Sequence, residues 1–158
     1  MRRTDREITD RQELLDVMVR CDVCRLALND ESGYPYVVPL NFGMEERDGT
    51  LYLLFHGAMT GTKYDRMERD PRATFEMDCG HQLMTAEQAC SYSCAYRSIM
   101  GSGTIRELTE PQEKYEALNA IMRHMTGRNW EMPEPAVARV SVFAIWAERW
   151  TGKRSPAN

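Results

Sequence analysis

No stretch of this chain approaches the run of about 18 apolar residues that a membrane helix requires. The N-terminal residues are polar and charged, so no secretory leader is expected and the protein is placed in the cytoplasm. Basic residues are not in excess: the net charge is −4, which gives no electrostatic footprint for nucleic acid or an anionic membrane. A phosphate-bearing ligand would therefore need a local positive site. Histidine is scarce, at three residues, so a metal or proton-transfer centre has few imidazoles to draw on. There is no serine nucleophile elbow, no paired-carboxylate motif and no zinc-protease helix, which leaves hydrolysis little support.

Cysteines number five: Cys21, Cys24, Cys79, Cys90 and Cys94. An odd count in a cytoplasmic chain argues against a disulfide framework. Cys21-x-x-Cys24 invites a zinc reading, with Cys79, His81, Cys90 and Cys94 as further ligands. Buried reduced thiols are the favoured reading, because free cysteine behaves as a small apolar residue. No metal is assigned.

What is present is an ordered set of short apolar segments. At 158 residues one domain is expected, over 1–158. Asp10 and Glu13 form a capping-box pattern before a helix over about 10–20. Strands follow at 23–28, at 34–44 with Pro39 as a bend or edge mark, and at 51–56. Thr60 or Thr62 caps a short helix ending before Asp70-Pro71. A strand at 73–79 places Phe75, Met77 and Cys79 on one face, and 80–90 reads as a loop. Residues 91–108 make a long strand or two, with a bend at Gly101 and Gly103. Thr109 caps a helix with Pro111 in its first turn, and Gly127 ends it. A last strand covers 137–150, where the alternation of Val140, Val142, Ala144 and Trp146 assigns Trp146 to the core. About six strands and three helices, joined by tight turns, predict a mainly β protein. The expected form is a small closed or partly closed, mostly antiparallel barrel with peripheral helices.

The segment Tyr36–Lys63 carries the most chemistry. Its second strand ends in His56-Gly57 and runs into Thr60-Gly61-Thr62-Lys63 at a helix start. Backbone N–H groups, two hydroxyls and an ammonium there suit an anion, although a capped helix with a solvated lysine has the same spacing. Arg97 suits a bidentate phosphate contact or a place on the surface. His56 suits a ligand hydrogen bond, a proton transfer or a polar strand end. Trp150 flanks a pocket or fills the core.

Taken in order, the following motifs resemble the pyridoxamine 5′-phosphate oxidase-like superfamily: RLALND from Arg25, GYPYVVPLNFG from Gly33, LYxxFHGA from Leu51, GxK from Gly61, DPR from Asp70, YRS from Tyr96 and MRH from Met122. The nearest branch is the nitroimidazole reductase group, and the match runs from about Arg2 to Lys153. The resemblance implies an FMN-binding split β-barrel and a homodimer with flavins at the interface. It implies that Val38, Pro39, Leu40 and Asn41 lie along the isoalloxazine and that Phe55 and His56 line the pocket. Thr60, Thr62 and Lys63 would hold the phosphate. Tyr96, Arg97 and Ser98 would contact flavin or phosphate, across the dimer, and His56 would be the active-site histidine. The implied activity is reduction of a small planar acceptor, such as a nitroaromatic, with NAD(P)H or another donor. A non-catalytic flavin- or haem-binding protein is the alternative. The C-terminal Arg/His motif of true pyridoxamine phosphate oxidases is not found in Trp150–Asn158, which speaks against that substrate.

Overall fold

The strand-like alternation resolves into eight strands in a computed structural model that describes residues 3–155. Met1, Arg2 and 156–158 of the expected 1–158 domain lie outside the described residues. A 3-10 turn at Thr4–Arg6 leads into β1 (Glu7–Ile8) and α1 (Arg11–Val19). Then come β2 (Cys24–Leu28), β3 (Tyr36–Leu40), β4 (Gly43–Arg47), β5 (Thr50–Gly57) and α2 (Thr62–Arg69). The chain continues through β6 (Arg72–Met84), a 3-10 turn at Ala89–Ser91, β7 (Ser93–Leu108), α3 (Pro111–Thr126), α4 (Glu134–Ala138) and β8 (Ser141–Ser155).

All strand pairs are antiparallel, in the order β3-β2-β6-β7-β8-β5-β4, with β1 added to the end of β8. The two edge strands, β3 and β4, are consecutive in the chain and separated only by Asn41 and Phe42. The sheet therefore curls until its edges share a corner, but no ladder joins them. This is the mainly antiparallel, partly closed barrel expected from the sequence.

Period-two alternation sorts the side chains. Leu51, Leu53 and Phe55 of β5, Phe75 and Met77 of β6, and Phe143 and Ile145 of β8 point inward and are at most 1% exposed. Val17 and Met18 of α1 join the same core. On the outside, Leu54, Leu108, Val142 and Ala144 are covered by Ala117, Leu118, Ala120 and Ile121 of α3. Gly43 permits that contact, because a Cβ there would stand 2.6 Å from the backbone nitrogen of Ile121.

Several expectations change. Six strands and three helices become eight and four among the described residues. The 34–44 strand divides at Asn41–Phe42, leaving Pro39 on edge strand β3, where a missing donor is tolerated. Residues 80–84 are not loop: β6 continues to Met84 through a register shift between Cys79 and Gln82, with Gly80 at φ +69°. The start of the last strand is the short helix α4, and β8 itself begins at Ser141 and runs on to Ser155.

Caps differ as well. Asp10 does cap α1, its carboxylate accepting from Glu13 N–H at 2.7 Å, while the Glu13 side chain pairs with Arg154. Gly61, at φ +112°, occupies the N-cap of α2, so neither Thr60 nor Thr62 caps it. Glu110, not Thr109, precedes α3, without a side-chain cap. Gly127, at φ +76°, ends α3 as expected. Trp146 is 54% exposed rather than core, because it shares the outer face with Val142 and Ala144 but lies beyond the cover of α3.

Candidate functional site

The opening of the barrel follows from strand lengths. β4 pairs with β5 only as far as Leu54, so Phe55, His56 and Gly57 are bonded to β8 on one side alone. β3 likewise pairs only with β2 and leaves its other edge free. Helix α2 touches both rims. Arg66 lies over the Tyr36 ring at 4.9 Å and pairs with Asp30. Lys63 turns back to β5, its Nζ 3.5 Å from the carbonyl oxygen of His56 and 5.3 Å from the centroid of the Phe143 ring.

Gly57 makes room for that ammonium, since a Cβ there would come within 2.3 Å of it. Burial lowers the Lys63 pKa. Among the described residues Lys63 has no carboxylate partner, in a chain with an excess of acids. The first-turn N–H groups of α2 have no helical acceptor, and Thr60 and Thr62 are exposed beside them. The arrangement therefore fits a phosphate-sized anion.

His56 points away from the core, opposite to Phe55. Its side chain reaches solvent, but crowding at the barrel mouth and then the Lys63 charge lower its pKa and favour neutral imidazole. Lys63→Gln should therefore raise the His56 pKa, read from an imidazole NMR titration. An unchanged midpoint would show that the two groups do not interact. Phe55 does not offer its ring to a pocket: it is fully buried and stacks on Phe143 at 5.3 Å and 17°. Only its backbone is left to face a ligand.

On β3, Val37 and Pro39 are exposed while Tyr36, Val38 and Leu40 lean on the core. The Asn41 amide donates to Asp22 O at 3.1 Å. Trp150 packs against the core with the Arg11 guanidinium 5.2 Å from its ring, so its face is already covered.

One chain does not unite all the expected site residues. His56 pairs with Val142, which pairs with Leu108 at the end of β7. Tyr96, Arg97 and Ser98 lie near the start of β7, opposite Ser155, Arg154 and Lys153. The two groups are separated by roughly 35 Å of strand contour at about 3.3 Å per residue. Alternation also divides the triplet, with Tyr96 and Ser98 facing one way and Arg97 the other.

The cysteines are free. Cys21 and Cys24 are buried, and burial raises both thiols, Cys24 to about 12. Among the described residues no three His, Cys, Asp or Glu side chains converge on a metal position, so the zinc reading has no ligand set. His124 is structural: Nε2 lies 2.8 Å from Cys21 O, and its ring packs on Phe42.

Two features escaped the sequence reading. A cavity of about 390 Å³ is lined by Tyr52, Arg47, Arg106, Glu113 and Trp146, and not by His56 or Lys63. Its arginines are already paired, Arg47 with Glu45 at 2.8 Å and Arg106 with Glu113 at 3.2 Å, so it carries no free charge for an anion. The second feature is a close approach of His81 Nε2 to the Asp78 carboxylate, 2.6 Å, on the β6 bulge. The glycine at position 80 was the only sequence sign of it. No helix among the described residues is long and apolar enough to cross a membrane.

No curated protein sequence matches the chain. Among solved structures, it is similar to a candidate 5-nitroimidazole antibiotic resistance protein from Bacteroides thetaiotaomicron. The identity is 34% and the TM-score 0.81, covering 94% of this chain and 86% of that one. It shares its fold with a FAD- and haem-binding protein from Mycobacterium smegmatis, at 21% identity, TM-score 0.81 and coverage of 96% and 74%. A flavocytochrome from Azotobacter vinelandii has the same fold, at 17% identity, TM-score 0.79 and coverage of 99% and 72%. The pyridoxamine 5′-phosphate oxidase family model matches residues 10–154, and the chain therefore belongs to that family.

Proposed function

We propose that the protein is an FMN-dependent oxidoreductase that acts as a homodimer and reduces a small planar acceptor, such as a nitroimidazole or other nitroaromatic. NAD(P)H or another donor supplies the electrons. The observation that carries this reading is the Lys63 ammonium, without a carboxylate partner among the described residues, held against His56 O and Gly57 on a helix whose Arg66 lies over Tyr36 of β3.

In this reading Lys63, the first-turn N–H groups of α2 and the hydroxyls of Thr60 and Thr62 bind the phosphate. The free backbone edge of Val38, Pro39, Leu40 and Asn41 runs along the isoalloxazine. His56, as neutral imidazole, orients the acceptor. Bound FMN supplies the hydride chemistry, and the protein supplies position and electrostatics. A second copy brings the Tyr96–Ser98 end of β7 to the site, since in one chain that end lies roughly 35 Å of strand contour from the row of His56. A two-fold pairing makes two such sites. The similarity to a candidate nitroimidazole resistance protein supports the acceptor class.

Titration of the purified protein with FMN should saturate near one flavin per chain, and the loaded protein should oxidise NAD(P)H when a nitroimidazole is added. A protein that takes up no FMN would overturn the reading. Tight flavin binding without turnover against a panel of donors and acceptors would favour a storage or sensing role. The fold shared with a FAD- and haem-binding protein gives that second reading its support, so FAD and haem belong in the same titration.

A further inference from the structure

Two of the five free cysteines meet at one oxygen atom. Cys21 follows α1, and its thiol donates to the carbonyl oxygen of Val17, with Sγ at 3.2 Å. Cys79 comes from β6, far along the chain, and its thiol reaches the same oxygen at 3.8 Å. Sulfurs that share a single acceptor are neighbours. The backbone explains the meeting from both sides. Cys21 N–H donates to Met18 O at 3.1 Å, which wraps the chain back over the last turn of α1. Along β6, Phe75, Met77 and Cys79 follow the inward alternation, so Cys79 faces the core that Val17 and Met18 enter.

The two thiols differ in access. The register shift after Cys79, with Gly80 at φ +69°, breaks the ladder there. Cys79 is half-buried and Gly80 is exposed, whereas Cys21 is 1% exposed. Burial first, and then the Cys79 thiol beside it, raises the Cys21 pKa and keeps that thiol protonated. The remaining cysteines have other surroundings. Cys24 is wholly buried, with its sulfur against the backbone of Glu76. Cys90 and Cys94 are exposed, and their sulfurs contact Gln88 and Ala95.

We propose that Cys79 and Cys21 are a site of reversible oxidation: a hydroperoxide oxidises Cys79, and Cys21 then closes a disulfide with it. Flavin binding is not required. The Cys79 thiolate attacks the terminal peroxide oxygen and the O–O bond breaks. The departing alkoxide takes up the proton that the thiol released, leaving an alcohol, or water where the oxidant is hydrogen peroxide, and a sulfenic acid on Cys79. Cys21 attacks that sulfur, the S–O bond breaks, and the hydroxyl leaves as water with the Cys21 proton. The two thiols lose two electrons and two protons, and the peroxide takes up both. Both contacts with Val17 O are given up for the bond. A dithiol reductant restores the thiols by exchange. The bond clamps the end of α1 to β6 and closes a long loop, so it acts mainly by restricting the unfolded chain.

The test uses full-length protein carrying Cys90→Ser and Cys94→Ser, which removes the exposed thiols and keeps the other three. After hydrogen peroxide, alkylation and digestion, mass spectrometry should find the Cys79 peptide joined to the one that holds Cys21. Cleavage after arginine leaves Cys21 and Cys24 on the same peptide, so tandem fragmentation locates the bond, and adding Cys24→Ala should leave it in place. The thermal midpoint should rise by about 4–16 °C on oxidation and return with dithiothreitol. Adding Cys21→Ala instead should halt the reaction at a Cys79 sulfenic acid, trapped by dimedone, with no rise. A bond through Cys24, or a Cys79 sulfenic acid that persists beside reduced Cys21, would overturn the inference. So would a Cys79 that stays reduced while peroxide oxidises the exposed Cys90 and Cys94 of the wild type.

Discussion

Replacing Lys63 with alanine is expected to weaken FMN binding about 10- to 100-fold, measured by quenching of flavin fluorescence. A hydrogen bond to a charged group contributes roughly 1.5–3 kcal/mol, and each 1.4 kcal/mol is about tenfold in affinity. The ammonium has no carboxylate to compensate for its partial burial among the described residues. It gives up little on removal: a contact at 3.5 Å with a carbonyl and an approach of 5.3 Å to the Phe143 ring. The unfolding midpoint should therefore change little. Unaltered FMN affinity in a folded Lys63→Ala protein would mean that the phosphate lies elsewhere.

Phe55→Ala is expected to do the reverse. The ring is wholly buried, stacked on Phe143 and 6.5 Å from Phe42. Truncating a buried phenylalanine costs about 3–5 kcal/mol, because transfer free energy is lost and a cavity remains. In a chain of this size the midpoint falls roughly 2–4 °C per kcal/mol, so a drop of about 6–20 °C should appear in a thermal melt. His56→Ala, one residue along but facing outward, should leave the midpoint almost unmoved. If Phe55→Ala kept its stability and lost ligand, the ring would belong to a pocket after all.

That contrast shows where the sequence was legible and where it was not. The inner faces were readable because alternation reports which residues share a side. Leu51, Leu53, Phe55, Phe75 and Met77 all follow it. Alternation does not say what covers the outer side. Ala144 and Trp146 obey the same period, yet α3 reaches one and not the other, and no local pattern states how far a helix extends over a sheet. The cap of α2 misled for a related reason. Thr60 and Thr62 have the right chemistry, but the turn needed a positive φ between them, and Gly61 supplied it. Strand β6 outran its expected end because a bulge at Gly80 lets a ladder continue past an irregular residue.

The site was legible in its parts more than in its assembly. The run from His56 to Lys63 is local, and the Lys63 ammonium returns to within 3.5 Å of His56 O. Arg97 is remote in sequence, and the register of β7 against β8 and β5 is what puts it at the far end of the barrel. No sequence pattern carries that distance. The register also brings Asp78 and His81 beside Ser98, a juxtaposition that the isolated histidine gave no reason to expect.

The central claim is that Lys63 of one subunit and Arg97 of another serve the same flavin. It is tested most directly by co-expressing Lys63→Ala and Arg97→Ala chains with different tags and counting tight FMN sites in the purified mixed dimer. Each parent homodimer should lack tight sites. The mixed dimer should regain one per dimer, because one interface then carries both intact residues while the other carries neither. A mixed dimer that binds FMN no better than its parents, or a monomer that fills a tight site alone, would contradict the account.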